Sequence, residues 1–286
     1  MLAAIRRRLR VRGDGPEAHR RTDGADAIHR LIDERAFTVL FQPVVELCSG
    51  WVLAYEAVTR PGLDAFDGAE SMVAAAVAER RIGELGRLIR AAAIEAGADH
   101  PLFLNVDPNE LAQPWLVQPD DPLFFHDHPL HVEITESAPL DYFEQCRSVL
   151  DELRSKDVGL VIDDLGSGYS NLRHIADLDP AYVKLDRAML QGLAPESARF
   201  RLLRSLSTLC SEMGAEVVAE GIETVEQLEA AREVGIRYGQ GFLLGRPAAR
   251  PEPRSWPDEV PFLPRTEVRI VSDLPADYWG ERRARG

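Results

Sequence analysis

The chain has 286 residues, of which 45% are hydrophobic, enough for one large α/β domain or two small ones and for a sizeable core. A formal charge of −14 argues against binding to a nucleic-acid polymer. Three separated cysteines, Cys48, Cys146 and Cys210, with no paired metal spacing, fit a reduced cytoplasmic setting, and no apolar run approaches a membrane-spanning length.

Residues 1–24 form a basic N-terminal tail. Its first 21 residues carry seven arginines, with Leu2, Ile5 and Leu9 at helical spacing between them. A tail or linker stump accounts for this; contact with a partner or a membrane surface is the alternative. The arginines precede no apolar stretch of the kind a signal peptide carries.

From 25 to 250, strand-like and helix-like segments alternate. Val39–Leu47 and Val52–Thr59 are joined by a link of hairpin length, so the first strand is expected to run antiparallel. An alanine-rich stretch, Ser71–Ala98, predicts one long helix. Strands at 102–106 and 131–135 follow, then helix Tyr142–Lys156, strand 158–163, and a loop with a short helix at 166–178. Strand 182–186, helix Glu196–Met213, strand 216–220, helix Val225–Val234 and strand Gly241–Leu244 complete the series. Eight strands alternating with helices over roughly 220 residues predict a (β/α)8 TIM-like barrel with its site at the C-terminal strand ends. Residues 251–286 form a Pro/aromatic C-terminal extension, too apolar for a purely disordered tail and expected to wrap the barrel or cover a partner surface.

The functional signal lies in five apolar runs that end in acids or an amide: VLAYEAVTR, LFLNVD, HVEITE, LVIDDL and VVAEGIE. Burying such groups is costly unless the strand ends converge on a shared, cation-binding mouth. Adjacent strand residues face opposite ways, so Asp163 and Asp164 share a site only if the strand ends there, as Gly166 suggests. Glu133 and Glu220 are read as strand-end ligands, Glu136 and Glu223 as loop residues. Oxygen donors with the Asn105 amide, and no Cys or His, favour Mg²⁺ or Mn²⁺ over zinc. Two such ions close together are a common device for phosphodiester hydrolysis. In HDHPLH (126–131) His131 opens a strand and His126 and His128 lie beside Pro129, so the group reads as a solvated turn rather than a zinc site, and Gly166 and Gly168 lack the lysine of a phosphate loop.

At this point the motifs become recognisable. FQPVVEL (41–47), Glu56-Ala57-Val58 with Arg60, LNVDP (104–108), VEITES (132–137), DDLGSGYSNL (163–172), VKLD (183–186), AEGIET (219–224) and GQGFLLGRP (239–247) stand in family order. Over about Ala27 to Pro247 the chain resembles the EAL-domain family of cyclic di-GMP phosphodiesterases. The resemblance implies hydrolysis of cyclic di-GMP to linear pGpG with two ions, Mg²⁺ or Mn²⁺, in a homodimer. It implies that Glu56, Asn105, Glu133 and Asp163 hold one ion, and that Asp163 and Asp164, helped by Glu220, hold the second. Glu220 would act as base or water-orienting group, and Lys184 would position water or offset phosphate charge. Gln42, Val58, Arg60, Asp186 and Gln240 would contact substrate, while Glu136 and Glu223 would anchor the loop after Asp164, which in the family couples metal binding to the dimer interface. Val58 and Leu165 depart from the family's leucine and phenylalanine, and Ala181 from a common acid; no implied ligand is lost. The alternative is a catalytically weak or inactive receptor of the same family that binds cyclic di-GMP and acts through a partner.

Overall fold

The computed structural model of the protein describes residues 16–111, 116–135, 146–166, 172–194 and 197–263. Eight strands close into a barrel in chain order: β1 (Phe37–Glu46), β2 (Val52–Pro61), β3 (Leu102–Asn105), β4 (Leu130–Thr135), β5 (Val158–Leu165), β6 (Tyr182–Leu185), β7 (Glu216–Ala219) and β8 (Tyr238–Gly239). The first strand is antiparallel to both β2 and β8, and every other neighbouring pair is parallel. The short turn between β1 and β2 leaves no length for a crossover helix, so these two strands must reverse direction.

Both faces of the barrel strands are buried, which is why the sequence shows short continuous apolar runs. One face, carrying Leu104, Val132, Ile162, Leu185 and Val217, packs outward into the main core. The other points at the barrel axis, where Val44, Ala54, Phe103, Val161, Tyr182, Val218 and Tyr238 form a second core. Side chains two residues apart on a strand share a face. One step of two residues beyond this inner layer therefore sets Gln42, Glu56, Asn105, Asp163, Lys184, Glu220 and Gln240 over the same axis. His131 and Glu133 extend the two layers on β4.

Helices α1 (Pro16–Glu34), α2 (Ala69–Ala78) and α3 (Ile82–Ala96) share a separate apolar cluster built on Ile28, Leu31, Met72, Ala76, Ile82 and Leu85. The single helix predicted over Ser71–Ala98 is thus two. Arg80 turns the chain in a left-handed conformation (φ 58°), and Arg81 ties the corner to Asp33 at 3.1 Å and Glu84 at 2.7 Å. Packing of both pieces against α1 overrides alanine's helix propensity. Helix α1 begins before the 24/25 division drawn from sequence.

The short α4 (Pro108–Leu111) follows β3; α5 (Arg147–Ser155), α6 (Arg173–Leu178), α7 (Ala198–Glu212) and α8 (Val225–Val234) follow in turn. Helix α8 matches its predicted bounds because its stop signals are local: Thr224 and Gln227 form a capping box, and Gly235 ends it in the left-handed region. The last strand does not match. It is Tyr238–Gly239, whereas 241–244 form a turn closed by Leu244 N–H donating to Gly241 O at 3.0 Å.

Residues 251–263 lie along the barrel beside the β1–β2 turn. Tyr55 Oη donates to Glu252 O at 2.9 Å, the Trp256 and Phe262 rings stack at 5.1 Å, and Leu263 N–H reaches Cys48 O at 3.0 Å. Among the described residues no helix is long and apolar enough to cross a membrane.

Candidate active site

Four strand-end carboxylates meet at one buried ammonium. Lys184 Nζ, on β6, lies 3.0 Å from Glu56 Oε2 (β2), 3.1 Å from Glu133 Oε1 (β4), 3.4 Å from Asp163 Oδ1 (β5) and 2.8 Å from Glu220 Oε1, just past β7. Glu56 also accepts from the Asn105 amide at 3.1 Å and the Gln240 amide at 2.8 Å. Of the residues expected to form the site, Glu56, Asn105, Glu133, Asp163, Lys184, Glu220 and Gln240 therefore form one connected group.

Asp164 joins by a route the sequence did not suggest. Strand β5 does not end at Asp163. Asp164 adopts the left-handed conformation (φ 61°), and the β5–β6 register shifts between Ile162 and Leu165. This local bulge lets neighbouring side chains converge rather than oppose. Oxygens of Asp163, Asp164 and Glu220 lie within 4.8 Å of one another, a spacing that can hold a metal ion.

Among the described residues, the others expected at the site lie around this group without joining its hydrogen bonds. Gln42 donates to Gly245 O at 2.9 Å. Val58 lines the cleft above Glu56, and Arg60 is exposed further along β2, donating to Thr59 O at 3.2 Å. Asp186 caps the turn Arg187–Met189 by accepting from Ala188 N–H at 2.8 Å. Glu223 is exposed ahead of α8, its backbone N–H donating to Gln227 Oε1 at 2.8 Å. Glu136 and the loop 167–171 lie outside the described residues, so the anchoring expected of Glu136 falls there too. His131, expected to open a strand, lies on β4; it is only 4% exposed and sits inside the barrel beside the Phe103 and Tyr182 rings.

The electrostatics follow from burial. Burial alone would lower the Lys184 pKa, yet the surrounding acids, Glu133 and Glu56 foremost, hold it well above an ordinary lysine. Glu56 is held below the usual range: burial opposes this, but Lys184 and the Gln240 and Asn105 hydrogen bonds outweigh it. Glu133 is pushed well above, by burial first and then by Glu56. Burial also raises Asp163 and Asp164, and it lifts Glu220 to about 7 against the pull of Lys184.

These residues fit a divalent-cation site. Both Glu133 oxygens are buried without a hydrogen-bond partner. One ammonium cannot neutralise Glu56, Glu133, Asp163, Asp164 and Glu220 together, and the donor set is all carboxylate and amide oxygen, the preference of hard cations. The group opens into a cleft of about 400 Å³ whose far wall is Met72 and Val73 of α2 with Leu85 of α3.

One buried cluster escaped the sequence reading. Arg90 on α3 pairs with Glu110 at 2.6 Å and Asp121 at 3.1 Å, all nearly inaccessible. Its signal was present: Arg90 falls on the face of α3 shared by Ile82, Gly86 and Ala93, where a charge requires a partner.

Residues 25–247 match the model of the family described as EAL domain. The chain is 29% identical over 240 residues to the Pseudomonas aeruginosa cyclic di-GMP phosphodiesterase RocR, covering 78% of this chain and 60% of that protein. Among solved structures it is similar to the calcium/cy-diGMP complex of Klebsiella pneumoniae BlrP1 (30% identity, TM-score 0.67, 74% of this chain and 56% of that one). A manganese/cy-diGMP complex of BlrP1 is likewise similar (31%, TM-score 0.65, 74% and 56%). The c-di-GMP complex of the P. aeruginosa MucR phosphodiesterase is similar at 29% identity and TM-score 0.67, covering 75% of this chain and 97% of that one. The chain spans less than two thirds of the length of the curated relatives it matches, 17% of Escherichia coli DosP and 60% of RocR.

Proposed function

The chain belongs to the EAL domain family, and from that footing we propose that it hydrolyses cyclic di-GMP to linear pGpG with two divalent cations, Mg²⁺ or Mn²⁺. The observation that carries this is the convergence of Glu56, Glu133, Asp163 and Glu220 on Lys184, with Asp164 turned in beside them. The similarity to a cyclic di-GMP phosphodiesterase, and to structures in complex with calcium or manganese and the cyclic dinucleotide, supports the substrate and the use of divalent cations.

In this reading Glu56, Asn105, Glu133 and Asp163 hold one cation, and Asp163, Asp164 and Glu220 the other. The pair supplies Lewis-acid charge that makes a water acidic and offsets the phosphate. Water oxygen forms the new bond to phosphorus, and the bond to the 3′ oxygen breaks, because pGpG keeps its phosphate on the 5′ side. Glu220, whose Oε1 lies 2.8 Å from Lys184 at the mouth of the barrel, takes or orients the water's proton. The 3′ oxygen leaves as an alcohol after gaining a proton. Lys184 holds four of the acids in one geometry and offsets phosphate charge. Arg60 at the exposed mouth suits a bidentate phosphate contact, with Gln42, Val58, Asp186 and Gln240 framing the substrate.

The test is direct. Purified protein with Mn²⁺ should convert cyclic di-GMP to pGpG, followed chromatographically, and Glu56→Ala should abolish turnover. Binding of the dinucleotide without cleavage by the unaltered protein would instead establish the receptor reading. Ca²⁺ should inhibit, since its looser, larger coordination suits a close two-ion site poorly.

A further inference from the structure

The segment after Asn105 is pinned from behind by a charge cluster that the proposed reaction does not use. Arg90 Nη1 donates to Glu110 Oε2 at 2.6 Å and Nη2 to Asp121 Oδ2 at 3.1 Å. Glu110 spends its other oxygen on the backbone N–H of Asp107, at 3.2 Å. Asp121 spends its own on the Leu123 N–H at 3.1 Å, capping the turn Pro122–Phe125. A single guanidinium thus ties α3 to two chain segments, one of them beginning two residues after Asn105. Gly86 makes the room, since a Cβ there would lie 2.0 Å from Glu110 Oε2.

Stability alone does not account for this cluster. A buried ion pair is often no better than well-packed apolar residues of the same volume, because desolvation consumes the Coulombic gain. What the charges provide and apolar residues cannot is a directed hold on the Asp107 N–H. That segment is also tied close to the site by Val106 N–H donating to Glu133 O at 3.0 Å. Asn105, between β3 and this segment, is the residue whose amide meets Glu56.

We propose that Arg90 and Glu110 are positioning residues: they fix the segment 106–111 so that the Asn105 amide stays registered on Glu56, and so set the affinity of the site for its divalent cation. This rests on the reading of Asn105 and Glu56 as ligands. The test is Mn²⁺ titration by calorimetry without substrate. It uses the parent, the apolar replacement Arg90→Met/Glu110→Leu/Asp121→Asn, Asn105→Ala, and all four changes together. The replacement leaves no buried charge unpaired, and its melting temperature reports folding independently. A folded replacement should bind Mn²⁺ about tenfold more weakly, as losses behind metal ligands do. Combined with Asn105→Ala it should lose nothing further, because both act through one contact. Parent-like affinity in the folded replacement, or losses that add to that of Asn105→Ala, overturns the proposal. Should the replacement not fold, Glu110→Gln takes its place, and a Mn²⁺ loss that persists in the Asn105→Ala background overturns it equally. A parent that binds no Mn²⁺ at all sinks the metal reading itself, a result distinct from a parent that binds and a replacement that binds as well.

Discussion

Lys184 stands 3.1 Å from Glu133, and neither oxygen of that buried carboxylate makes a hydrogen bond. The ammonium is therefore the main compensation for Glu133 in the cation-free protein, while also serving Glu56, Asp163 and Glu220. Lys184→Met should destabilise the protein in chelator by about 3–5 kcal/mol, the cost of stranding a buried charge. Saturating Mn²⁺ should shrink that deficit, since a divalent ion offsets the same carboxylates. Urea melts at pH 8 with and without Mn²⁺ measure both. A deficit that Mn²⁺ leaves untouched would contradict the assignment of these acids to a cation.

Glu220 gives a pH signature. Burial lifts its carboxyl from an ordinary 4.5 to about 7. The unfolded chain releases this proton first, so the stabilising contribution is full below pH 4.5 and is lost as pH rises to 7, at most about 3 kcal/mol. In chelator, the stability of Glu220→Gln should accordingly rise relative to the parent across that window. With Mn²⁺ bound the difference in slope should vanish, because the ion holds the carboxylate ionised. Matching slopes in chelator would show that Glu220 is not strained by burial.

The barrel was legible because each strand writes its own rule: apolar on both faces, then an acid or amide two residues past the last apolar inward position. That rule found Glu56, Asn105, Glu133, Asp163 and Glu220. It could not find the geometry of Asp164, which depends on a left-handed residue and a register shift that no periodicity records. It also misplaced the last strand. The run Gly241–Leu244 looks apolar enough, but its backbone bonds are taken by the turn, and the true strand is a pair of residues fixed by β7 and β1. The Arg90 cluster links residues far apart in sequence and shows locally only as a charge on an apolar helix face.

Gly241 is the point on which that turn depends. A Cβ there would meet the Ile222 backbone oxygen at 2.1 Å, and backbone cannot move aside as a flexible side chain can. Gly241→Ala should cost about 1–3 kcal/mol, as overpacking does. It should also lower activity through its neighbour Gln240, whose amide holds Glu56. Gly24→Ala is the contrast: it lies within α1 with nothing inside 4 Å of its added methyl, so helix propensity should make it stabilising by about 0.5–1 kcal/mol. Thermal melts of both variants compare the two, and a harmless Gly241→Ala would remove the steric account.

His131 carries a pH dependence of the opposite sign. It lies under Glu133 in the barrel, 5.0 Å from the Phe103 ring and 5.1 Å from that of Tyr182, with Nδ1 lacking a hydrogen-bond partner. Gly159 on β5, its register partner, leaves the space; a Cβ there would come within 2.3 Å of the imidazole. Burial disfavours the charged ring and draws its pKa down to about 4. The unfolded chain takes up this proton near 6.5, so the stability is whole above that pH and is lost as pH falls towards 4, by at most about 3 kcal/mol. His131→Phe fills the same space without a titrating group and should be the more stable protein at pH 5 by a margin absent at pH 7.5. Making the comparison in a Glu220→Gln background keeps the two titrations apart. Parallel stability curves from pH 7.5 to pH 5 would mean that the ring is hydrated or paired within the barrel, and that the inner layer is not dry.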